Sequence, residues 1–416
     1  MYPKSIFMTV HTSLVPRLST MMFLQFFIWG AWYTSIGVYM TELGMNNLTH
    51  WPYTVNPIAA IIAPFFLGLI ADRYFAAEKV LGVLHILGGI IMFLTPEFRE
   101  SPTLFIIMLL AYNLCYMPTL GLSNSLAFHH ITNQEKQFPV IRVFGTIGWI
   151  IAGLFVSFGV GYIMEGVAEK TAAPLYSAAT ASILLGLYSF SLPHTPPKGA
   201  DQKVSFGSII GIDAYKTLGS FSFNIFILCS FLICIPLAAY YNYTQIYLSG
   251  SGFENIAGTQ TLGQMSEIIF MLLMPLFFVR LGVKKMLLVG MMAWVLRYAL
   301  FALGAPDSVH WMIIGGIVLH GICYDFFFVT GQIYVDKKSN EKIRGQAQGF
   351  LVLVTYGIGM LIGAQIAGYV FNSFLGDQAV LTPEQWNSFW WIPAGFAAVV
   401  ILVFVALFKQ DSKSPS

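Results

Sequence analysis

Three ionisable residues lie inside long apolar stretches of this sequence. Glu267 falls within residues 263–279, Asp325 within residues 311–335, and Arg142 just inside the start of residues 138–164. A charged side chain at such a place costs about 3 kcal/mol on insertion scales unless it faces a protein interior or a watery cavity. We therefore predict that these residues line a polar solute pathway, and that one or both carboxylates carry a proton.

Two sets of neighbours would act with these charges. Arg142, Thr146 and Trp149 follow an i, i+4, i+7 spacing and so share one helix face, which presents a guanidinium, a hydroxyl and a flat ring together. For Trp149 the alternative is an aromatic residue that packs or faces lipid. For Arg142 the alternative is a side chain that extends to the nearby cytoplasmic end of its helix.

Gln264 and Glu267 are one helical turn apart, so both side chains can point into one cavity. The amide offers a donor and an acceptor to a solute. A buried glutamate is either protonated or paired with a cation such as Arg142 or Arg297, and a purely structural ion pair is the alternative to a functional one. The same reasoning applies to Asp325.

The composition indicates an integral membrane protein. Of 416 residues, 57% are hydrophobic and only 10% are charged, with a mean hydropathy of +0.72; soluble domains have about 25% charged residues. A net charge of +2 with dispersed basic residues argues against a nucleic-acid partner. The sequence contains neither a phosphate-binding loop, a nucleophile with its base, nor metal-ligand spacing. We therefore predict no enzyme activity, no cofactor and no metal site.

About twelve segments are long enough to cross the hydrocarbon layer, which takes about 20 apolar residues each. An even number of spans places both termini on one side of the membrane. Lysines and arginines are concentrated at the termini and in alternate loops, whereas the opposite loops hold only Arg99 and Lys170. Because basic loops stay inside, we predict that both termini are cytoplasmic.

The longest polar connection, residues 193–220, divides the predicted spans six and six. The sequence therefore predicts an N-terminal lobe over residues 1–192, a cytoplasmic linker over 193–220, and a C-terminal lobe over 221–416. Short motifs recur about 210 positions apart, as two parallel repeats would give. They are APFF at 63–66 with MPLF at 274–277, and Cys115-Tyr116 with Cys323-Tyr324.

The loop after the second predicted span resembles the cytoplasmic Gly-x-x-x-Asp-Arg signature of the major facilitator superfamily. It reads GLIADR at residues 68–73, although the usual following Gly-Arg-Arg is replaced by Tyr-Phe-Ala. The resemblance implies that Asp72 and Arg73 act in gating, as a pair that latches the halves on the cytoplasmic side. An ordinary charged helix end is the alternative.

Nearly the whole chain resembles the nucleoside:proton symporters of that superfamily. The motifs that carry the resemblance are FLQF at 23–26, WGAW at 29–32, YMPTLGL at 116–122, IRVFGTIG at 141–148, QMSE at 264–267, WVLR at 294–297 and YDFF at 324–327. The resemblance implies an all-α major facilitator fold of twelve transmembrane helices in two pseudo-symmetric six-helix lobes. It implies that the following residues bind the nucleoside or support coupling: Arg142, Thr146, Trp149, Gln264, Glu267, Tyr324 and Asp325.

The chain departs from that family at two places. On the seventh span, members of that family have a Gln and an Asn. This chain has Ala238 and Tyr241 at those two positions, and its own amide side chains, Asn242 and Gln245, lie at other positions. The family's tyrosine five residues before the tenth-span aspartate is His320 here. Substrate contacts on these two helices are therefore open.

A nucleoside suits the predicted residues, because its hydroxyls need fixed hydrogen-bonding groups and its base needs a flat surface for stacking. We predict proton-coupled nucleoside uptake by alternating access, with Asp325 as the preferred proton carrier and Glu267 as a substrate contact. The predicted setting is the lipid bilayer of a bacterial inner membrane, with the multi-pass chain as a monomer. The alternatives are a carrier for another polar solute, such as a sugar or a xanthosine-like compound, or a receptor that transports nothing.

Overall fold

A computed structural model of the chain describes residues 5–67, 74–197 and 206–409, and within these ranges it contains helices and no strands. Apolar sequence takes this form because lipid offers no partner for backbone N–H and C=O groups, and a helix satisfies them internally. The chain forms two compact units. The first comprises Met1–Leu43 and Ile62–Val204, and the second comprises Gly44–Ile61 and Ser205–Ser416.

In the order of the chain, the helices up to residue 189 are α1 (Ser5–Tyr33), α2 (Ile36–Glu42), α3 (Pro52–Phe66), α4 (Ala77–Leu94), α5 (Pro102–His130), α6 (Gln134–Leu154), α7 (Gly161–Met164) and α8 (Ala173–Ser189). A π-helical turn, Phe155–Val160, joins α6 to α7 without interrupting the rod. All of these helices except the first part of α3 belong to the first unit.

The remaining helices, all in the second unit, are α9 (Phe206–Ile210), α10 (Ile212–Leu218), α11 (Phe221–Gly250), α12 (Ile256–Gly304), α13 (His310–Val318), α14 (His320–Cys323), α15 (Thr330–Lys338), α16 (Arg344–Val352), α17 (Met360–Leu375) and α18 (Pro383–Leu407). π-Helical turns occupy Tyr324–Val329 and Leu353–Gly359. Helix α18 begins with a capping box. The Thr382 hydroxyl accepts a hydrogen bond from the backbone N–H of Gln385, and the Gln385 side-chain oxygen accepts one from the backbone N–H of Thr382.

Among the described residues, nine helical segments are long and apolar enough to cross a membrane. The longest of them, α12, has 49 residues but is broken at Gly282, whose φ of +66° is left-handed. Glycine takes this conformation without steric cost, so the rod turns here and comprises two helices. The chain is therefore a multi-pass membrane protein.

Glycines bring the first and sixth helices of the first unit together. A Cβ atom on Gly30 would lie 3.0 Å from the backbone of Trp149, and one on Gly148 would overlap the carbonyl of Phe23. These glycines belong to the WGAW and IRVFGTIG motifs. Their role in packing explains why α6 lies directly against the aromatic residues of α1.

Small residues do the same in the second unit. A Cβ atom on Gly363 would lie 2.8 Å from the Cβ of Ala238, so α17 and α11 approach closely there. A Cβ atom on Gly321 would lie 2.6 Å from Ser266, and one on Gly263 would lie 3.1 Å from the Cβ of His320. Helices α12 and α14 are therefore close enough for their polar side chains to meet.

Candidate functional site

The first unit holds a cation beside a group of aromatic rings. The guanidinium of Arg142 lies 4.3 Å from the centroid of the Phe26 ring, in a cation–π contact between α6 and α1. Arg142, Thr146 and Trp149 are all half-buried. The predicted shared face of α6 is therefore turned toward α1 at both of its ends.

Trp149 is part of an aromatic cluster formed by Trp29, Tyr33, Tyr116 and Trp149. Its ring is 5.4 Å from that of Trp29 and 6.1 Å from that of Tyr33, both edge to face. The Trp29 and Tyr116 rings are 5.9 Å apart. Such geometry fixes each ring and leaves flat surfaces in defined orientations, as stacking on a planar solute requires.

A buried hydrogen-bond network lies behind the aromatic cluster. Gln25 donates to Thr119 at 2.7 Å and meets Nε2 of His85 at 2.9 Å, while Nδ1 of His85 lies 3.1 Å from the Ser182 hydroxyl. The Tyr116 hydroxyl donates to the carbonyl of Gln25 at 2.5 Å. The network joins α1, α4, α5 and α8, and it holds Tyr116 in place.

Sequence reasoning did not single out His85. The signal was present, because His85 is the one imidazole in an apolar run from Val80 to Leu94. Its side chain is buried among hydrogen-bonding partners and does not lie on the surface of the first unit.

In the second unit, Glu267 lies next to His320. Nε2 of His320 is 4.0 Å from Oε2 of Glu267, and the Glu267 side chain is only 15% exposed. Gln264, one turn earlier on α12, is half-buried, and its Oε1 accepts no hydrogen bond from the described residues. Tyr324 is half-buried, and its ring lies 5.8 Å from that of His320. Gln264, Glu267 and Tyr324 thus lie on helices that meet at His320.

Arg297, one of the two cations that the sequence suggested as partners of Glu267, contacts an aromatic ring and a backbone carbonyl. Its buried guanidinium lies over the Tyr240 ring at 4.1 Å, and Nε donates to the carbonyl of Gly316 at 3.0 Å. The other two guanidinium nitrogens have no hydrogen-bond partner within the described ranges. The Arg297 side chain therefore lies along the rings of Tyr240 and Trp294, and His320 lies beside Glu267.

Asp325 is wholly buried in the π-helical turn Tyr324–Val329. Neither carboxyl oxygen receives a hydrogen bond from the part of the chain that is described. A carboxylate without donors is costly to bury, whereas the neutral acid is much less so. π-Helical turns inside longer helices are frequent at functional sites.

The α11 residues at which this chain departs from the family pattern contact neighbouring helices. Ala238 is buried against Gly363, and Asn242 donates to the carbonyl of Ala364 at 3.4 Å. Gln245 donates to the hydroxyl of Tyr53. Tyr241 is half-buried, with its ring 6.2 Å from that of His320. Asn242 and Gln245 therefore make contacts between helices of the second unit.

Asp72 and Arg73, which the sequence suggested for gating, lie outside the described residues. Within residues 5–67, 74–197 and 206–409, no group of three or more His, Cys, Asp or Glu side chains is arranged to hold a metal ion.

The sequence profile of the nucleoside H+ symporter family matches residues 12–413. The chain belongs to this family. Its relatives are transporters, so this chain is a transporter and not an enzyme. The chain is 39% identical over 400 residues to YegT of Escherichia coli (strain K12), covering 95% of this chain and 94% of that protein. It is 30% identical over 410 residues to the nucleoside permease NupG of the same organism, covering 94% and 95%.

A xanthosine permease of Escherichia coli (strain K12) is also 30% identical, over 427 residues, covering 96% of this chain and 97% of that one. Among solved structures, the crystal structure of NupG superposes with a TM-score of 0.84 at 29% identity, covering 96% of this chain and all of that one (100%). The transporter PepTSo, at 13% identity and a TM-score of 0.70, shares the fold alone. The chain thus has the same helical fold as the nucleoside transporter NupG.

Proposed function

We propose that this protein imports nucleosides together with protons by alternating access, in which one binding site is exposed first to one side of the membrane and then to the other. The observation that carries the proposal is the pair of acids, Glu267 and Asp325, enclosed in apolar helices of a chain that belongs to the nucleoside H+ symporter family. A proton symporter needs a buried carboxyl group that binds and releases a proton during transport, whereas a simple channel does not.

The first unit supplies the surface for the base. Trp149 and its aromatic cluster present flat faces, and the guanidinium of Arg142 adds a charged donor next to them. Stacking of a base on such groups contributes about 1–3 kcal/mol. Thr146, between Arg142 and Trp149 on α6, supplies a hydroxyl to the same solute.

The second unit supplies hydrogen bonds to the polar parts of the solute. The Gln264 amide donates and accepts, the Glu267 carboxylate accepts, and the Tyr324 hydroxyl does both. Ribose hydroxyls and base edges offer matching groups. A site built for these hydroxyls rejects a solute that lacks them, because its own buried polar groups would be left unpaired.

Asp325 carries the proton in this proposal. On the outer side its carboxylate takes up a proton, and the nucleoside then binds. The neutral acid lowers the cost of closing apolar helices around the site, since no bare charge has to be enclosed. On the cytoplasmic side, where the pH is higher, the proton leaves and the nucleoside follows.

The architecture that serves this cycle is the twelve-span major facilitator arrangement, with six-helix lobes at 1–192 and 221–416 joined by a cytoplasmic linker at 193–220. Asp72 and Arg73 act in cytoplasmic gating. Both termini lie in the cytoplasm, and the protein works as a monomer in a bacterial inner membrane. The positive charge of the alternate loops and the apolar helices support this topology.

Uptake of labelled uridine and adenosine, in cells that lack their own nucleoside carriers, tests the function directly. We expect accumulation that a protonophore abolishes and that unlabelled nucleosides, but not sugars, compete away. Uptake that is indifferent to the protonophore would contradict proton coupling. Absence of uridine and adenosine uptake, with uptake of labelled xanthosine or of a labelled sugar instead, would assign the carrier to that other solute.

A further inference from the structure

His320 stands where the resemblance to nucleoside symporters leads one to expect a tyrosine, and its surroundings give it a defined task. The imidazole is buried, with Nε2 at 4.0 Å from Oε2 of Glu267 and with Nδ1 without a hydrogen-bond partner among the described residues. Gly263, one turn before Glu267, leaves the space that brings α12 this close to the ring. The contact is thus built into the packing of two helices.

Four further groups face the imidazole. The Tyr240 ring is stacked on it, with centroids 5.5 Å apart and planes at 15°, and the Tyr241 ring meets it edge-on at 6.2 Å. The Tyr324 ring lies at 5.8 Å on its own helix. The Arg297 guanidinium also lies over the Tyr240 ring, at 4.1 Å, so the cation and the imidazole contact the same aromatic side chain.

The charges in this group decide the state of the imidazole. A second cation beside the buried Arg297 would be repelled and would lose its hydration, so the neutral ring is favoured. A neutral imidazole has one N–H. With the hydrogen on Nε2, the ring points its donor at the Glu267 carboxylate and leaves only a lone pair on Nδ1.

The separation of 4.0 Å is too long for a hydrogen bond. It is short enough that a small movement of either helix closes it, and contacts of this kind commonly tighten when a ligand binds. A tyrosine hydroxyl at this place could both donate and accept, whereas the Nε2–H tautomer can only donate to Glu267.

We propose that His320 is a positioning residue, which stays neutral and orients the Glu267 carboxylate toward the transported nucleoside through Nε2–H. The proposal rests on nucleoside transport as the function of this chain. It makes Glu267 the acceptor for the solute and assigns to the Tyr240–Arg297 stack the task of keeping the imidazole uncharged. Asp325, which is wholly buried and receives no hydrogen bond from the described residues, keeps the role of proton carrier.

The test compares uptake kinetics and pH profiles of His320→Phe and His320→Gln with those of the wild type in proteoliposomes. Phenylalanine keeps the stack on Tyr240 but has no donor, so we expect KM for uridine to rise about tenfold with Vmax within about twofold. Glutamine restores a donor, and KM should return to within about threefold of the wild-type value. His129→Gln, on the exposed end of α5, is the control and should change neither constant.

The pH profile separates positioning from a merely structural role. Without its donor, Glu267 is protonated more easily, so the acid side of the uptake profile of His320→Phe should move to higher pH. An equal loss of uptake at all pH values with unchanged KM would make His320 structural and overturn the proposal. So would wild-type kinetics in His320→Phe.

Loss of pH-driven accumulation in both variants, with exchange of labelled for unlabelled uridine retained, would make His320 itself the proton carrier and also overturn the proposal. A wild-type protein that transports no nucleoside would instead refute the proposed function. The two failures are therefore distinguishable in one set of vesicles.

Discussion

At the scale of residues, the two acids of the second unit differ in what surrounds them. Glu267 is partly exposed and lies beside an imidazole, whereas Asp325 is wholly buried and receives no hydrogen bond from the described residues. The first environment suits a carboxylate that meets a solute. The second suits an acid that is neutral when enclosed, which is why we assign the proton to Asp325.

Asp325→Asn keeps the shape of the side chain and removes its ability to ionise. We expect the pH-driven accumulation ratio of uridine to fall to about one, because without coupling the carrier can only equilibrate its solute. Exchange of labelled for unlabelled uridine should persist, since this exchange needs no net proton movement.

The measurement is uptake into proteoliposomes with and without an imposed pH gradient. Asp336→Asn is the control. Asp336 lies in α15, is half-exposed and pairs with Arg344 at 3.0 Å. Its replacement should leave the accumulation of uridine unchanged. Full pH-driven accumulation by Asp325→Asn would show that another group carries the proton.

At the scale of elements, glycines decide which helices touch. Gly148 allows α6 to pack closely against α1, Gly321 does the same for α14 and α12, and Gly363 for α17 and α11. In membranes, helices associate through close packing of small residues, since lipid is as apolar as the side chains themselves. The positions of Trp149 and His320 thus depend on glycines next to them in the chain, which let their helices approach a neighbour closely.

Gly363→Ala tests this dependence. The new methyl group would meet the Cβ of Ala238 at 2.8 Å and the carbonyl of Cys234 at 2.9 Å, and neither can move without shifting α11. Overpacking of this kind costs about 1–3 kcal/mol. We expect a lower melting temperature in detergent, measured by thiol-reactive dye or tryptophan fluorescence.

Gly395→Ala is the matched control. Gly395 lies in α18, and a Cβ atom there would meet nothing within 4 Å. Its melting temperature should stay the same or rise slightly, because alanine favours the helix. Equal melting temperatures for the two alanine variants would mean that α11 and α17 are less tightly packed than the structure indicates.

At the scale of the whole molecule, one buried imidazole links stability to pH. His50 lies in the connection before α3, is buried, and fills the space left by Gly368 on α17. Burial lowers the pKa of His50 from 6.5 to about 4. Between these values the unfolded chain binds a proton that the folded chain does not, so stability is lost as the pH falls from about 6.5 toward about 4.

We expect the free energy of unfolding to fall by about 2 kcal/mol between about pH 7.5 and about pH 5 through His50 alone. His50→Phe keeps a ring against Gly368 and cannot titrate, so its melting temperature should fall less over this range. His129→Gln, which removes an exposed imidazole, should melt like the wild type at both pH values. Equal pH dependence in His50→Phe and the wild type would contradict the burial of a neutral His50.

The sequence by itself determined the class of this protein. A charge content of 10% and long apolar runs leave no alternative to membrane-spanning helices, because only helices satisfy the backbone in lipid over such lengths. Ionisable residues inside those runs, Arg142, Glu267 and Asp325, stand out for the same reason of cost. The ordered motifs then led to the nucleoside symporter family, which the match over residues 12–413 confirmed.

Only the tertiary structure decided which side chains are neighbours. The spacing along α6 predicted that Arg142 and Trp149 share a face, but Phe26 and Trp29 come from α1, more than a hundred residues earlier. Pairing of Glu267 with Arg297 was equally allowed by the sequence, and the structure placed His320 there instead. Helical periodicity is local, whereas contacts between helices depend on where glycines allow close approach, and this depends on both partners at once.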